Sequence, residues 1–296
     1  MKCGFVSILG RPNAGKSTLV NTIIQSKVSI VSPKVQTTRR RILGIFTDDV
    51  NQIVLVDTPG LFTPKKALEK AIVKEAMSAP GDADLNLYLF DVKNDSVTED
   101  AKFIKKLLSR RKNILVLNKI DLVKPERLIE ITQKFASLEN EFIRFEKTFM
   151  ISAQKNKGVS DLIAEIPKYL PEQPWFYDSE DITNLSERTW SSEITREKLF
   201  LHLDQELPYE TFVTTDLYEN FKDGSLKISQ TIVVSRDTQK KIVIGKGGAM
   251  IKQIGQRARG ELEKLLGKKV HLFLFVKIKE EWNNKDSFIQ EIINEH

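Results

Sequence analysis

"GRPNAGKST", Gly10 to Thr18, decides how the first half of this 296-residue chain reads. It fits glycine, four residues, glycine, lysine, then serine or threonine. It follows the apolar run Phe5–Leu9 and opens a helical stretch at Leu19–Ile24. A glycine-rich turn between strand and helix aims backbone N–H groups at an anion, and the helix N-terminus adds positive dipole. Gly10 and Gly15 let the backbone of Arg11, Pro12, Asn13 and Ala14 wrap around phosphate. Lys16 can reach the β and γ phosphates, and Ser17, followed by Thr18, can coordinate Mg²⁺. A chance match in a chain this long is roughly one in a hundred, and the strand–helix setting tightens it.

Outward from that loop, short apolar runs alternate with helical patterns. Ile42–Phe46 and Ile53–Val56 read as neighbouring strands, and Leu85–Phe90, Ile114–Leu117 and Thr148–Ile151 as further ones. Helical stretches near 99–111, 126–138 and 159–169 separate them. This predicts an α/β domain, a mostly parallel sheet with helices on both faces. Such sheets bind ligands at the carboxyl ends of their strands. Three more motifs fall there. "DTPG" (Asp57, Thr58, Pro59, Gly60) follows "IVLV"; Asp57 sits where a water-mediated Mg²⁺ ligand belongs, and the Gly60 amide can reach the γ-phosphate. "NKID" (Asn118, Lys119, Ile120, Asp121) follows another strand. A carboxylate at Asp121 accepts from both donors on the pairing edge of guanine, a pair that adenine lacks. Asn118 can contact the other edge, and the Lys119 stem can cover the base. Ser152 and Ala153, at the start of "SAQKNKG", are placed for a backbone contact to guanine O6. Singly, each is an ordinary turn; four in order, each after a strand, specify GTP.

The set resembles the translation-factor-related class of small GTPases. The resemblance implies a switch threonine in "KVQTTRRR", either Thr38 or Thr37, closing on Mg²⁺ and the γ-phosphate within a polar, basic segment from Ser26 to Arg41 that is mobile without GTP. In Ras-like enzymes the residue after this motif is a glutamine that orients the attacking water. Here it is Leu61, which cannot polarise water, so slow intrinsic turnover is expected. In related GTPases an asparagine at the place of Asn13 accompanies a bound K⁺ that supplies positive charge. On this reading Lys16, Thr38, Gly60 and Asn13 carry catalysis, with Ser17 and Thr38 on the metal.

The pattern lapses at "YLPEQPWFYDSEDITN", Tyr169 to Asn184, with Pro167, Pro171 and Pro174 close together. This reads as a linker whose Trp175, Phe176 and Tyr177 pack onto a domain. The expected division is a GTPase domain over 1–172, a linker over 173–188 and a second domain over 189–296. That second part is α+β: a helix near 189–206, the strand "ETFVTTDLYENF", a turn at Asp223–Gly224, the strand "SLKISQTIVV", two helices around "GKGG", and the strand "KKVHLFLFVKI". Net charge is +6 over the chain, yet Lys240–Lys279 holds eleven Lys or Arg against Glu261 and Glu263, a net of +9. A basic block around a glycine loop points to a polyanion.

"IVIGKGGAMIKQIG", Ile242–Gly255, lacks the Lys-Ser that would repeat Mg²⁺ chemistry. After it, Ile251, Ile254, Ala258, Leu262 and Leu265 keep an apolar helical stripe. The whole resembles a KH domain of the prokaryotic type II order, whose GxxG loop clamps a single-stranded RNA backbone beside a groove for about four bases. The resemblance puts RNA on Ile244, Gly245, Lys246, Gly247, Gly248, Ile251 and Lys252.

A P-loop GTPase domain followed by one such KH domain, with "QTTRRRILGI" and "DTPGL", is similar to the Era family over nearly the whole chain. The resemblance implies a monomeric, cytoplasmic GTPase using GTP/GDP and Mg²⁺ and admitting K⁺. It binds the 3′ end of 16S-type rRNA and assists assembly of the small (30S) ribosomal subunit. Some of it associates peripherally with the inner face of the membrane. The alternative is a constitutive RNA-binding module that keeps GTP as a structural ligand; a metabolic GTP-using kinase is more distant, because no second substrate pocket is visible. The single Cys3 offers no disulfide, and the three His offer no metal pair. No stretch approaches ~20 apolar residues, and the N-terminus lacks a signal-peptide pattern.

If Asp121 reads the base, Asp121→Asn shifts preference from GTP toward xanthosine triphosphate, whose carbonyl replaces the guanine amino group. Competition between the two nucleotides measures this; an unchanged preference removes Asp121 from base reading.

Overall fold

Strand β1 (Lys2–Leu9) is buried along most of its length because it runs through the middle of a six-stranded sheet. In this computed structural model the sheet order is β2-β3-β1-β4-β5-β6. The other strands are β2 (Ile42–Thr47), β3 (Asn51–Asp57), β4 (Leu85–Asp91), β5 (Asn113–Asn118) and β6 (Lys147–Ile151). The structure describes residues 1–35, 37–62, 64, 67–94, 97–108, 112–138, 144–280 and 282. Strands β1, β3, β4, β5 and β6 run parallel, and β2 is antiparallel to β3. Continuous apolar runs such as "NILVLN" suit a sheet buried on both faces.

Two cores follow from those faces. Val6, Ile8, Leu55, Leu87 and Val116 pack with Leu19 and Ile23 of α1 (Lys16–Ile24) and Leu162 of α5 (Val159–Glu165). Tyr88, Phe90, Leu115 and Leu117 pack on the other face with Ile104 of α3 (Val97–Leu107) and Phe135 of α4 (Pro125–Ala136). The sequence reading left out α2 (Ala67–Ser78), where Leu68, Ile72 and Ala76 are buried. The expected helix near 99–111 ends within the described residues at Leu107; 109–111 lie outside them. Since β1 pairs with β3 on one side and β4 on the other, the strand order reverses at its carboxyl end. That reversal is where an open α/β sheet takes its ligand.

The chain divides into two compact units. The first holds Met1–Ser29, Thr38–Lys65 and Glu69–Asn184. Residues 173–184, read from sequence as linker, therefore lie in it. The reason is local: Phe176 stacks on Phe5 with ring centroids 5.1 Å apart, and buried Gln52 accepts from the N–H groups of Phe176 and Tyr177. Farther on, Ile45 N–H donates to Ile182 O and Leu43 N–H to the Asn184 side chain.

The second unit runs from Leu185 onward and includes Ile30–Thr37. It is built on α6 (Glu187–His202), β7 (Phe212–Asn220), β8 (Leu226–Val234), α7 (Asp237–Ile244), α8 (Ala249–Leu266) and β9 (Val270–Ile278). Its sheet order is β7-β8-β9, the first pair antiparallel and the second parallel. Leu199, Val213, Ile232, Val243 and Ile254 close one core cluster; Ile30, Ile194, Leu226, Ile228 and Leu262 close another. Within this unit Val31 N–H donates to Glu197, and Arg196 donates to the Thr37 carbonyl.

Candidate functional site

The phosphate loop leaves β1 at Gly10, whose φ is 147°, and enters α1 at Gly15, whose φ is 98°. Both glycines are sterically required. A Cβ on Gly10 would come within 2.3 Å of the Leu89 carbonyl oxygen, and one on Gly15 within 2.4 Å of Asn118 Nδ2. Gly15 caps α1 with no side-chain acceptor, so the helix's first N–H groups are left for an anion. Lys16 is buried and donates to the carbonyls of Gly10 (3.2 Å) and Arg11 (3.0 Å). Burial lowers its pKa to about 8, partly offset by Asp57.

Ser17 follows on the helix. Its Oγ donates to Asp57 Oδ2 at 2.7 Å and lies 3.0 Å from Thr38 Oγ1. Asp57 is fully buried at the end of β3, and its Oδ1 has no hydrogen-bond partner. Burial raises its pKa, against the Ser17 hydrogen bond and the Lys16 charge. Three oxygen-bearing side chains thus converge beside the loop, one with an unused buried oxygen. That donor set suits a small hard cation such as Mg²⁺. Of the two threonines left open by the sequence, the geometry favours Thr38. The Thr37 hydroxyl is taken up locally by Lys34 O and Ser32 Oγ.

The rest of "DTPG" lies against the loop. Thr58 Oγ1 donates to Ile8 O at 2.6 Å. A Cβ on Gly60 would come within 2.7 Å of Pro12. Leu61 is buried, and its N–H donates to Gly10 O at 3.1 Å.

Several residues do more than their motifs suggested. Asn118 is buried, and its amide joins two loops: Nδ2 donates to Ala14 O (2.8 Å) and Oδ1 accepts from Ala153 N–H (3.0 Å). Lys119, at a left-handed φ of 68°, donates to Asn13 O (2.6 Å) and Asp91 Oδ2 (2.7 Å). Arg11 turns its guanidinium away from the loop to Asp100 and Glu99 of α3, and Tyr88 donates to the other Asp100 oxygen. Only the backbone of Arg11 faces the loop's concavity. No local pattern announces these partners: the Asn118, Lys119 and Arg11 partners lie 28 or more positions away, and Tyr88 lies 12 from Asp100. Ser152 is buried, Ala153 O accepts from Thr22 on α1, Ile120 is half-buried, and Asp121 is exposed, free to meet a base.

The second glycine loop is built differently. Gly245, Gly247 and Gly248 have φ of 73°, 57° and 79°. A Cβ on Gly245 would meet Met250 at 2.7 Å, but one on Gly247 or Gly248 would meet nothing within 4 Å. These two need glycine for their backbone, and the space above them is open. Lys246, Gly247 and Lys252 are exposed, and Ile244 is half-buried. Ile251 is half-buried against the core that holds Ile254. α8 starts at Gly248 with no side-chain cap, so its N–H groups are also available. Leu274 of β9 lies 3.4 Å from where a Gly255 Cβ would sit, so β9 packs closely against α8 below the loop.

A P-loop GTPase carrying a KH domain in the same chain is the class this fold and these two loops define. Family models agree: "50S ribosome-binding GTPase" matches residues 5–119 and "KH domain" matches 206–283. GTPase Era of Brucella suis biovar 1 is 46% identical over 293 residues, covering 98% of this chain and 93% of that protein. GTPase Era of a Bradyrhizobium species (strain BTAi1) is 47% identical, covering 98% and 94%. Among solved structures, a variant of Aquifex aeolicus Era bound to GDP·AlF₄⁻ superposes with a TM-score of 0.92 at 34% identity, covering 98% of each chain. Era in complex with MgGDPNP and nucleotides 1506–1542 of 16S ribosomal RNA matches equally well. The chain belongs to the Era family of GTPases.

The buried lysine makes a pH prediction. In the free protein Lys16 titrates at about 8; phosphate beside it would raise that value. Nucleotide affinity is then full below that pH and falls as pH rises from there toward the bound pKa. Calorimetry of GDP binding near this pH, in buffers of different ionisation enthalpy, should show uptake of roughly half a proton. Heats that do not depend on the buffer would contradict the assignment.

Proposed function

We propose that this chain hydrolyses GTP at the first loop and grips single-stranded small-subunit rRNA at the second, coupling the two during assembly of the small ribosomal subunit. The observation that carries the nucleotide half is the convergence of Ser17, Thr38 and the unused oxygen of Asp57 on an uncapped helix N-terminus. The solved Era complexes with GDP·AlF₄⁻, MgGDPNP and 16S rRNA nucleotides support both halves by family membership.

The roles follow from position. Loop amides from Asn13 to Thr18 cradle the phosphates, and Lys16 exchanges its carbonyl partners for phosphate oxygens. Ser17 and Thr38 would hold Mg²⁺ directly, with Asp57 behind them through water. When bound, that ion neutralises charge on the β and γ oxygens. The Gly60 amide meets the γ-phosphate, and Asp121, with the Ala153 backbone, reads guanine. Asn118 holds the phosphate loop and the 152–153 turn in register, so its contribution to the base is partly indirect. Water attacks the γ-phosphorus, the bond to the β–γ bridging oxygen breaks, and GDP and phosphate leave.

Leu61 can neither accept a proton from that water nor orient it. Charge stabilisation must therefore come from elsewhere, and by likeness to GTPases with an asparagine at the place of Asn13, a K⁺ beside the phosphates would supply it. Lys119 reaches the same loop by donating to the Asn13 carbonyl, so the loop's outer rim is held in one shape. In the second unit, Lys246 and the α8 N-terminus take RNA phosphates. Ile244 and Ile251 line the groove for unstacked bases, and Lys252 adds charge. Among the described residues no helix is long and apolar enough to cross a membrane. The reading places the protein in the cytoplasm, with any peripheral contact to the inner face of the membrane resting on basic charge.

Single-turnover GTP hydrolysis tests this reading. It should run faster in KCl than in NaCl at equal ionic strength and saturating Mg²⁺, and change when single-stranded RNA is added. Equal rates in both salts would remove the K⁺ role of Asn13. No hydrolysis under any of these conditions would make GTP a structural ligand of a constitutive RNA-binding module.

A further inference from the structure

A half-solvated sheet normally turns polar residues outward. The first half of strand β8 does so, with half-buried Lys227 and Ser229 alternating against the inward Leu226, Ile228 and Gln230, while Thr231 farther along the outer face is buried and donates to Asp216. Strand β9 does not. Its inward residues Leu272, Leu274 and Val276 pack under the helices, and the alternate positions are His271, Phe273, Phe275 and Lys277. Register sets Phe273 beside Ser229 and Phe275 beside Thr231 on the face away from the helices. Phe273 is 48% and Phe275 54% exposed, while Leu217 of β7 and Phe221, in the turn just after it, are 36% and 40% exposed. At one end the face is closed: Trp282 is fully buried and stacks on Phe212, with centroids 6.0 Å apart. At the other end Phe221 lies 6.2 Å from His271. Between them is an open row of aromatic rings about 6.6 Å apart along the strand.

We propose that this outer face, centred on Phe273 and Phe275, is a second surface for single-stranded RNA, on which bases leaving the GKGG groove stack. The proposal rests on the reading of that groove as an RNA site. Three observations choose RNA as the occupant. Exposed aromatics on adjacent same-face positions of a small sheet are the arrangement by which other single-strand binders stack bases. Charge is complementary: Lys268 and Lys269 precede β9, Lys277 and Lys279 end it, and Lys227 lies alongside. Among the described residues of the sheet, the acids on this face lie on β7. There Glu219 opposes Lys227, and Asp216 is occupied by hydrogen bonds from Thr214 and Thr231. Finally, β9 belongs to both sites. Its inward side packs against α8, the helix that the GKGG loop opens, and its outward side carries the rings, so a strand only has to pass one sheet edge.

The test uses the full-length protein and unstructured A/C-rich RNAs of about five and about twelve nucleotides sharing one core, the shorter one just filling a KH groove. Wild type should bind the longer RNA more tightly. Phe273→Ser/Phe275→Ser should leave the short RNA unaffected and lose about fivefold or more in affinity for the long one per lost stack. Phe273→Tyr/Phe275→Tyr should retain it. Thermal unfolding checks that each variant stays folded, as expected for such exposed rings. If the long RNA gains nothing in wild type, or the serine variant binds both as wild type does, the platform is wrong and the groove stands. If wild type binds neither RNA, the groove reading falls and this proposal with it. Concentration-dependent self-association that the serine variant abolishes, with RNA binding unchanged, would assign the face to a second copy of the chain instead.

Discussion

The hydrogen bond from Ser17 to Asp57 is the interaction on which the nucleotide site depends. Parallel pairing sets Asp57 beside Ile8, so the carboxylate ends β3 just where β1 releases the phosphate loop. The first turn of α1 then brings Ser17 to one oxygen and leaves the other without a partner. A fully buried carboxylate of this kind costs several kcal/mol unless a cation or donors compensate. Thr38 and the buried Lys16 lie close by, and neither alone completes the set. The local arrangement makes sense as a socket that a cation and phosphate fill together.

The two glycine loops differ in what forbids a side chain. At Gly10, Gly15 and Gly60 a Cβ would strike the protein itself, at Leu89, Asn118 and Pro12. That loop is packed from behind, which holds its backbone in one shape, as a single small ligand requires. At Gly247 and Gly248 the space outside is empty, and only the left-handed backbone demands glycine. A loop that is bare outward admits a long chain passing over it. The two loops share the chemistry of exposed N–H groups at a helix start. Their surroundings separate a free nucleotide from a polynucleotide.

Much of this was legible in the sequence because phosphate and guanine impose residue types at fixed spacing. Gly10 to Ser17, Asp57 and Asn118 to Asp121 had to lie at the carboxyl ends of strands, and they do: Gly10 follows β1, and Asp57 and Asn118 end β3 and β5. The alternation of β7 and the apolar stripe of α8 were equally plain, since burial on one face writes a period into the chain. What the sequence hid were partners chosen by the fold. That Asn118 fastens the phosphate loop to Ala153, or that Arg11 turns to α3, depends on side chains meeting across the sheet. The choice of Thr38 over Thr37 depended on which hydroxyl a local turn had already used. Residues 173–184 read as linker because prolines erase periodicity, yet Gln52 and Phe5 hold them to the first unit. Ile30–Thr37 looked like a plain switch loop, and its partners Ile194, Arg196 and Glu197 lie more than 150 positions away.

The central claim is that one chain holds two separate phosphate grips. Its most direct test measures GTP affinity and single-stranded RNA affinity in two full-length variants, Lys16→Ala and Gly247→Asp, each checked for an intact thermal unfolding profile. Lys16→Ala should lose GTP and bind RNA as nucleotide-free wild type does. Gly247→Asp should keep GTP and lose RNA, with the salt dependence of what binding remains shallower by about one unit of slope per lost phosphate contact. A folded Gly247→Asp protein that binds RNA as tightly as wild type across a range of salt would contradict the account.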